Sequence, residues 1–316
     1  MINRSMVRVK VVQTLYAYYQ DGDKSFRQAE KDLLRSFDDV YTLYMMELEL
    51  INAMTHFAEL RLTDNIETAR IRHEDYTPRY NFILNKFAKQ VFDNRTLRRY
   101  TEERQLSWDM AHHYLQRLYQ DILKAPFFED YMALGKTTYQ QDKLVWRQII
   151  TKIVGTQDEF LDALEELEPY FDAKSWSSDG FEVLSYVIKT IKRFQEENGQ
   201  EQPLLEMFDS EEELEFAKKL LRCSLEKAAE AKALMESLLK NWDESRLSYF
   251  DNLIIQTAVA ELLCFPEIPI QVTLDEYLNI AHDYSSDKSP MFINGLVAEI
   301  AAKLKRENKL IKAVIR

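Results

Sequence analysis

Glycine is scarce in this chain. Its 316 residues include six glycines, about 2% against a usual level of about 7%. Sheets that cradle phosphate on glycine-rich turns need more, so a Rossmann, P-loop or barrel enzyme is not expected. Cysteine is scarcer still. Cys223 and Cys264 are too few for a disulfide scaffold and suit a reducing compartment. Proline does not occur before Pro78, so a very long helix or a hairpin of helices can run there. No stretch approaches 18 uncharged apolar residues, and Met1-Ile2-Asn3-Arg4 carries no apolar signal core. The expectation is a soluble, cytoplasmic protein without membrane contact. Positive charge is also short: 41 Lys and Arg against 53 Asp and Glu give −12, at first sight the wrong sign for nucleic acid.

The mean charge hides its arrangement. Residues 1–20 carry Arg4, Arg8 and Lys10 and no acid, a charge of +3. Residues 303–316 carry +5, and the remainder, 21–302, carries −20. Acid is concentrated further, with nine carboxylates and no Lys or Arg over 194–217, and seven and none over 158–172. These blocks read either as solvated helix faces or as surfaces that turn RNA toward the basic ends.

Apolar residues make up 46% of the chain, which suits a globular protein. Their spacing is helical. Ala29, Leu33, Phe37, Val40, Tyr44, Leu48, Ile51, Met54 and Ala58 step by three or four, one stripe at the 3.6-residue period. Thr156 with Glu159, Ser210 with Glu213 and Thr273 with Glu276 have the spacing of capping boxes, and Ser289-Pro290 reads as N-cap and first helical residue. Pro126, Pro169, Pro203, Pro266 and Pro269 fall where periodic stretches end. The β-branched run Pro269-Ile270-Gln271-Val272 is too short for a strand and reads as loop. The fold class expected is all-α.

The polar, acidic stretch 195–210 is the best boundary. Across it runs an internal match at an offset of about 70 residues: Leu144-Val145-Trp146 with Leu214-Glu215-Phe216, Phe171-Asp172 with Trp242-Asp243, and Val183-Leu184 with Ile254-Ile255. It is either a worn duplication or the common pattern of amphipathic helices.

Enzyme signatures are missing. His56, His73, His112, His113 and His282 form no His-Glu-x-x-His pair, and the adjacent His112 and His113 diverge by about 100° on a helix. The cysteines form no Cys-x-x-Cys and read as buried structural thiols. His282 reads as a surface residue. No catalytic residue, metal site or cofactor is expected.

The C-terminal hundred residues carry more information. An apolar helix from Asp251 to Leu263 is followed by the turn Phe265-Pro266-Glu267-Ile268-Pro269. A helix from Leu274 to Tyr284 follows, then the loop Ser285-Ser286-Asp287-Lys288-Ser289, and a last helix opens Pro290-Met291-Phe292-Ile293-Asn294-Gly295. That order resembles the NusB family of transcription antitermination factors, most closely at Tyr284, Lys288, Ser289, Phe292, Ile293, Asn294 and Gly295. Arg4, Arg8 and Val12-Gln13-Thr14-Leu15-Tyr16 resemble the family's first helix. The resemblance divides the chain into a first helix of the NusB-like core (1–20), an additional helical region of unassigned role (21–204), and the main core with a basic tail (205–316). Ser5-Met6 stands where many relatives continue an arginine run, Ser285 where glycine is common, and the region 21–204 where relatives have a short connection.

The resemblance implies an orthogonal helical bundle without enzymatic activity. It further implies a partner, the small-subunit ribosomal protein NusE, and binding of boxA-type single-stranded RNA within the RNA polymerase antitermination complex, in support of ribosomal RNA transcription. Carried over by position, the RNA contacts are Arg4, Arg8, Tyr284, Lys288, Phe292 and Asn294, and Asp251 falls where the family meets its partner. The residues make physical sense in these roles. Arg4 and Arg8 share a helical stripe close to the apolar face, so they must overhang the bundle end or be buried without partners. Tyr284 beside a polar loop can stack on an unpaired base. Phe292 is either core or stacking platform. Gly295 costs about 1 kcal/mol inside a helix, offset either by close packing or by a surface that admits a ligand. Asp251 either pairs with a basic protein or complements its own helix dipole. The rival expectation is a helical scaffold whose acidic surface docks basic ribosomal proteins without RNA.

Overall fold

A computed structural model describes residues 1–22, 24–239 and 247–310. Among them every regular element is helical, apart from a single bridge between Ile2 and Phe208. The chain divides into two compact units, Met1–Phe37 with Met207–Arg316, and Asp38–Glu206.

The first unit contains α1 (Arg4–Gln20), the opening turns of α2 (Phe26–Arg72), α10 (Glu211–Glu226), α11 (Ala228–Leu239), α12 (Tyr249–Cys264), α13 (Ile270–Tyr284) and α14 (Ser289–Arg306). Its organiser is α12, which packs against α1, α10, α11, α13 and α14. Sequence explains why. Leu253, Ile254, Ile255, Ala258, Val259, Ala260 and Leu262 cover its whole circumference and are all buried, and a helix apolar all round must lie inside. The N-terminus is held by Ile2 N–H donating to the Met207 carbonyl at 2.8 Å and by the terminal ammonium beside Asp209 at 3.3 Å.

The second unit contains the rest of α2 with α3 (Lys86–Asp93), α4 (Arg95–Arg104), α5 (His112–Lys124), α6 (Pro126–Met132), α7 (Tyr139–Lys152), α8 (Asp158–Phe171) and α9 (Trp176–Arg193). Trp108, Trp146 and Trp176 sit fully inside it. Two of them are anchored, Trp108 to the Met46 carbonyl at 2.8 Å and Trp176 to that of Asp39 at 3.1 Å. Asn85 and Asn94 cap α3 and α4 by accepting from Ala88 N–H at 2.8 Å and Leu97 N–H at 3.0 Å. Gly180 is required where α9 crosses α8, because a Cβ there would stand 2.7 Å from Leu164 Cδ1 and 2.9 Å from Leu161 Cδ2.

The apolar stripe from Ala29 to Ala58 lies on one helix, the 47-residue α2, and every member is buried. Local details depart from the sequence reading. Thr156 ends a 3-10 turn, and α8 starts at Asp158 without a side-chain cap. Ser210 is the N-cap of α10, but its hydroxyl bonds the Glu213 carboxylate and caps no backbone donor. Pro269 is itself the N-cap of α13, so Ile270-Gln271-Val272 opens a helix. That frees Thr273 to donate inward to Glu261 Oε1 at 2.8 Å. The start of α14 shifts by one, with Lys288 as N-cap and Ser289 first. Pro126 begins α6 and does not end α5, and Pro169 lies within the last turn of α8. Capping boxes do form at Thr138 with Gln141 and at Ser248 with Asp251. Trp242 and Asp243 of the internal match, and Lys312 and Arg316 of the basic tail, lie outside the described residues.

Candidate nucleic-acid interface

The end of α13, the start of α14 and the start of α12 are tied together by short polar side chains. Ser289 N–H donates to the Ser286 carbonyl at 2.8 Å, and the two serine hydroxyls lie 2.9 Å apart. Ser289 Oγ also donates to Asp251 Oδ2 at 3.1 Å. The same Oδ2 accepts from Ser248 N–H at 2.8 Å, while Ser248 Oγ accepts from Asp251 N–H at 3.0 Å. Asp251 is therefore a hub between two helix N-termini and is only 1% exposed. Of the two roles expected of Asp251, the one at its own helix N-terminus is what these bonds show, and its Oδ1 is buried without a hydrogen-bond partner among the described residues.

Over this junction lies a depression of about 530 Å³ lined by Ser286, Lys288, Ser289 and Phe292. Lys288 is exposed and, among the described residues, makes no ion pair. It stands at the N-terminus of α14, where the helix dipole adds about half a positive charge. Phe292 is 9% exposed. Most of the side chain is therefore core, and the part left exposed helps line the depression. The preceding residue, Met291, turned about 100° from Phe292 on the helix, is 71% exposed. A Cβ on Gly295 would meet nothing within 4 Å, so close packing is not what offsets this glycine. Asn294 is half-buried, and its Oδ1 has no hydrogen-bond partner among the described residues.

Tyr284 heads an aromatic row. Its ring lies 6.0 Å from Phe250, Phe250 lies 5.9 Å from Tyr16 of α1, and Tyr16 meets Tyr249 edge-on at 5.8 Å. The row joins the C-terminal part of α1 to the site.

The N-terminal arginines are elsewhere. Arg8 is 2% exposed and bidentate on Glu261, with Nε to Oε2 at 2.7 Å and Nη2 to Oε1 at 3.1 Å. Nη1 lies 3.5 Å from Glu276. Thr273 and Tyr277 add hydroxyls to the same carboxylate, at 2.8 and 3.4 Å. Burial alone would lower the Arg8 pKa, but the bond and charge of Glu261 outweigh it and hold it above its ordinary value. Burial, reinforced by the charge of Glu261, drives the Tyr277 hydroxyl far above its own. Overhang or burial without partners was a false choice, because α12 supplies the partner. Lys10 is buried as well, so the basic first helix is not a cationic surface. Arg4 is half-buried with its guanidinium 5.0 Å from the Phe216 ring, which Arg8 also approaches at 5.3 Å. Twelve residues separate Arg4 from Tyr16, about 18 Å along a helix, and eight separate Arg8 from it, about 12 Å. Lys288 and Phe292 thus line one depression, Tyr284 ends α13 two residues before its first lining residue, Ser286, and Arg8 is enclosed instead at Glu261.

Sequence reasoning missed Glu261. The signal was there: a single carboxylate inside Ala258-Val259-Ala260-Glu261-Leu262-Leu263 demands a buried cation. It also missed Phe250, and it separated two cysteines that the fold brings together. Cys223 and Cys264 lie close enough for each thiol to act on the other electrostatically, and both are free. His282 is exposed, as expected. Among the described residues, no group of three His, Cys, Asp or Glu is placed to hold a metal ion, and no helix is long and apolar enough to cross a membrane.

Comparison with known proteins places the likeness in the C-terminal part of the chain. The sequence model of the NusB family matches residues 182–302. A transcription antitermination protein NusB of Geobacter sulfurreducens is 36% identical over 112 residues, covering 34% of this chain and 81% of that protein. The NusB of Salinibacter ruber is 35% identical over 98 residues, 31% of this chain and 61% of its own length. That of Pseudothermotoga lettingae is 41% identical over 71 residues, 22% and 51%. No solved structure matches.

Proposed function

This chain belongs to the NusB family, and on that premise we propose that it is a non-enzymatic transcription antitermination factor. It binds boxA-type single-stranded RNA together with the NusE ribosomal protein, within the RNA polymerase antitermination complex. The observation that carries this reading is the depression at the start of α14, lined by the unpaired Lys288 and the exposed part of Phe292, with the aromatic row headed by Tyr284 at the end of the preceding helix. Lys288 and the helix N-terminus supply positive potential for a phosphate. Tyr284 and the exposed part of Phe292 supply apolar surface for unstacked bases. Asn294 is assigned a base contact by its place in the family pattern alone, since its Oδ1 is buried without a hydrogen-bond partner among the described residues, and Gly295 leaves the approach open. Arg4 is a peripheral phosphate contact, and Arg8 holds the first helix in place.

Fluorescence anisotropy with labelled boxA-type RNA, with and without NusE, tests the proposal. Wild type binds, more tightly with NusE, and Lys288→Ala lowers the affinity and flattens its salt dependence by about 0.7 in log-log slope, one single-strand phosphate contact. No binding under either condition, with tight NusE association, would replace this reading by the protein-docking scaffold.

A further inference from the structure

The second unit contains a cationic groove that the proposed site does not use. Along α7, Gln140, Lys143, Leu144 and Arg147 recur at the spacing of a single helical stripe. With Ile191 and Lys192 near the end of α9 they line a depression of about 340 Å³. No carboxylate lines it. Elsewhere in this unit some exposed arginines are paired, Arg95 with Glu201 at 2.7 Å, Arg104 with Asp38 at 2.9 Å, Arg117 with Glu159 at 2.7 Å and Arg79 with Glu129 at 3.2 Å, while Arg61, Arg72, Arg99 and Arg193 share with the groove cations the lack of an ion pair among the described residues. Arg147 and Lys192 make no ion pair among the described residues.

The simplest structural role for these cations is to complement the C-terminus of α9, and Lys143 does so, its Nζ donating to the Phe194 carbonyl at 3.0 Å. That role is too small for the charge present. A helix C-terminus offers about half a negative charge, and three cations meet it. The nearest acids of the segment after Phe194, Glu196 and Glu197, act on Tyr139 and Glu197 on Lys143, but neither lines the groove. Burial, and then the charge of Arg147, hold Lys143 below its ordinary pKa, while Glu197 acts in the opposite sense without pairing with it.

We infer that the groove between α7 and α9 binds the phosphodiester backbone of single-stranded RNA. Arg147 offers a bidentate fork to phosphate oxygens and Lys192 a second point charge. Lys143 and Arg147 stand one helical turn apart, about 6 Å along the axis, a spacing that serves successive phosphates better than one isolated ion. Leu144 is 42% exposed between them and gives a sugar or base an apolar seat, while Gln140 offers an amide. An acidic peptide would use the charges but has no call on that combination. The inference rests on the RNA-binding reading above and gives the second unit a share in it.

The test uses the full chain and labelled boxA-type RNA with flanking nucleotides, comparing wild type, Lys288→Ala and the double variant Arg147→Ala/Lys192→Ala. Both substituted residues of the double variant are exposed, and an unchanged melting temperature verifies its fold. The expected result is a loss of about tenfold in affinity and a fall of about 1.4 in salt slope, two contacts at roughly 0.7 each. The loss is the same on RNA with a scrambled boxA element, because backbone contacts read no sequence. Amine footprinting of wild type should also show RNA protecting Lys143 and Lys192. Unchanged affinity and slope in the double variant, with Lys288→Ala still impaired, overturns the groove and leaves the proposed function standing. Absence of RNA binding by wild type overturns both. Displacement of RNA from wild type by polyglutamate but not from the double variant assigns the groove to an acidic protein segment, and displacement by inorganic phosphate alone assigns it to a free anion. Either result overturns the inference.

Discussion

Arg8 and Glu261, 253 residues apart in sequence, meet as a bidentate pair inside the first unit, at 2.7 and 3.1 Å. The pair fixes α1 against α12 and α13. Each charge depends on the other, because an uncompensated buried ion costs several kcal/mol. Arg8→Ala should therefore destabilise the protein by about 3–5 kcal/mol in urea unfolding. Arg8→Met combined with Glu261→Leu should recover most of that loss. In the folded population at low temperature, the salt slope of RNA binding should not change. A changed slope at unchanged stability would return Arg8 to the RNA surface.

Asp251 is expected to act on helix geometry. Asp251→Ala removes one half of a capping box and the bond to Ser289, a cost of about 1–2 kcal/mol. NusE affinity, measured by calorimetry well below the melting temperature, should stay within about twofold of wild type. Lost affinity with an intact melting temperature would make the carboxylate a docking residue.

Glu47 makes the second unit sensitive to alkali. Both carboxylate oxygens are buried without a hydrogen-bond partner among the described residues. Burial, and then the charge of Asp179, raise its pKa well above the ordinary 4.5. Nearby in sequence, burial lifts Glu49 to about 7 against the opposing bond from Asn52. A carboxyl raised on folding holds its proton more tightly in the native state. Its stabilisation is complete below the unfolded pKa and is lost as pH rises toward the folded one. Urea unfolding should therefore show stability falling from about pH 5 to pH 8. Glu47→Met should flatten that fall and add about 1–3 kcal/mol at the alkaline end. A wild-type profile that is flat over the same window would refute it.

The cysteine pair gives a chemical readout of the packing between α10 and α12. Burial pushes the Cys223 thiol up to about 12, with the neighbouring Cys264 thiol adding to it. Alkylation proceeds through the thiolate. At pH 8 the native protein should incorporate label at the partly exposed Cys264 and none at Cys223, and both should react in denaturant. Peptide mass spectrometry distinguishes the sites, and rapid native labelling of Cys223 would contradict the packing described.

The helical class and the core of α2 were legible in the sequence because periodicity is a local property, and the stripe from Ala29 to Ala58 needs no partner to be recognised. The segment from Tyr284 to Gly295 was legible for a similar reason, since its short-range order of residues is distinctive in itself. Helix starts were less so. Thr156 and Thr273 have capping spacing, but Pro269 and the turn before Asp158 placed the helices differently, and a hydroxyl caps only where the backbone leaves a donor free.

Residue order alone determined that this chain is all-α, where its apolar stripes run and which family it belongs to. Tertiary structure alone decided the fate of its charges. Arg8, Asp251 and Lys288 look equally available along the chain, yet two are enclosed by partners from distant helices and one stands free. The reason is that a charge takes its meaning from the dielectric and the polar partners around it, and those arrive only when α1, α12, α13 and α14 pack together.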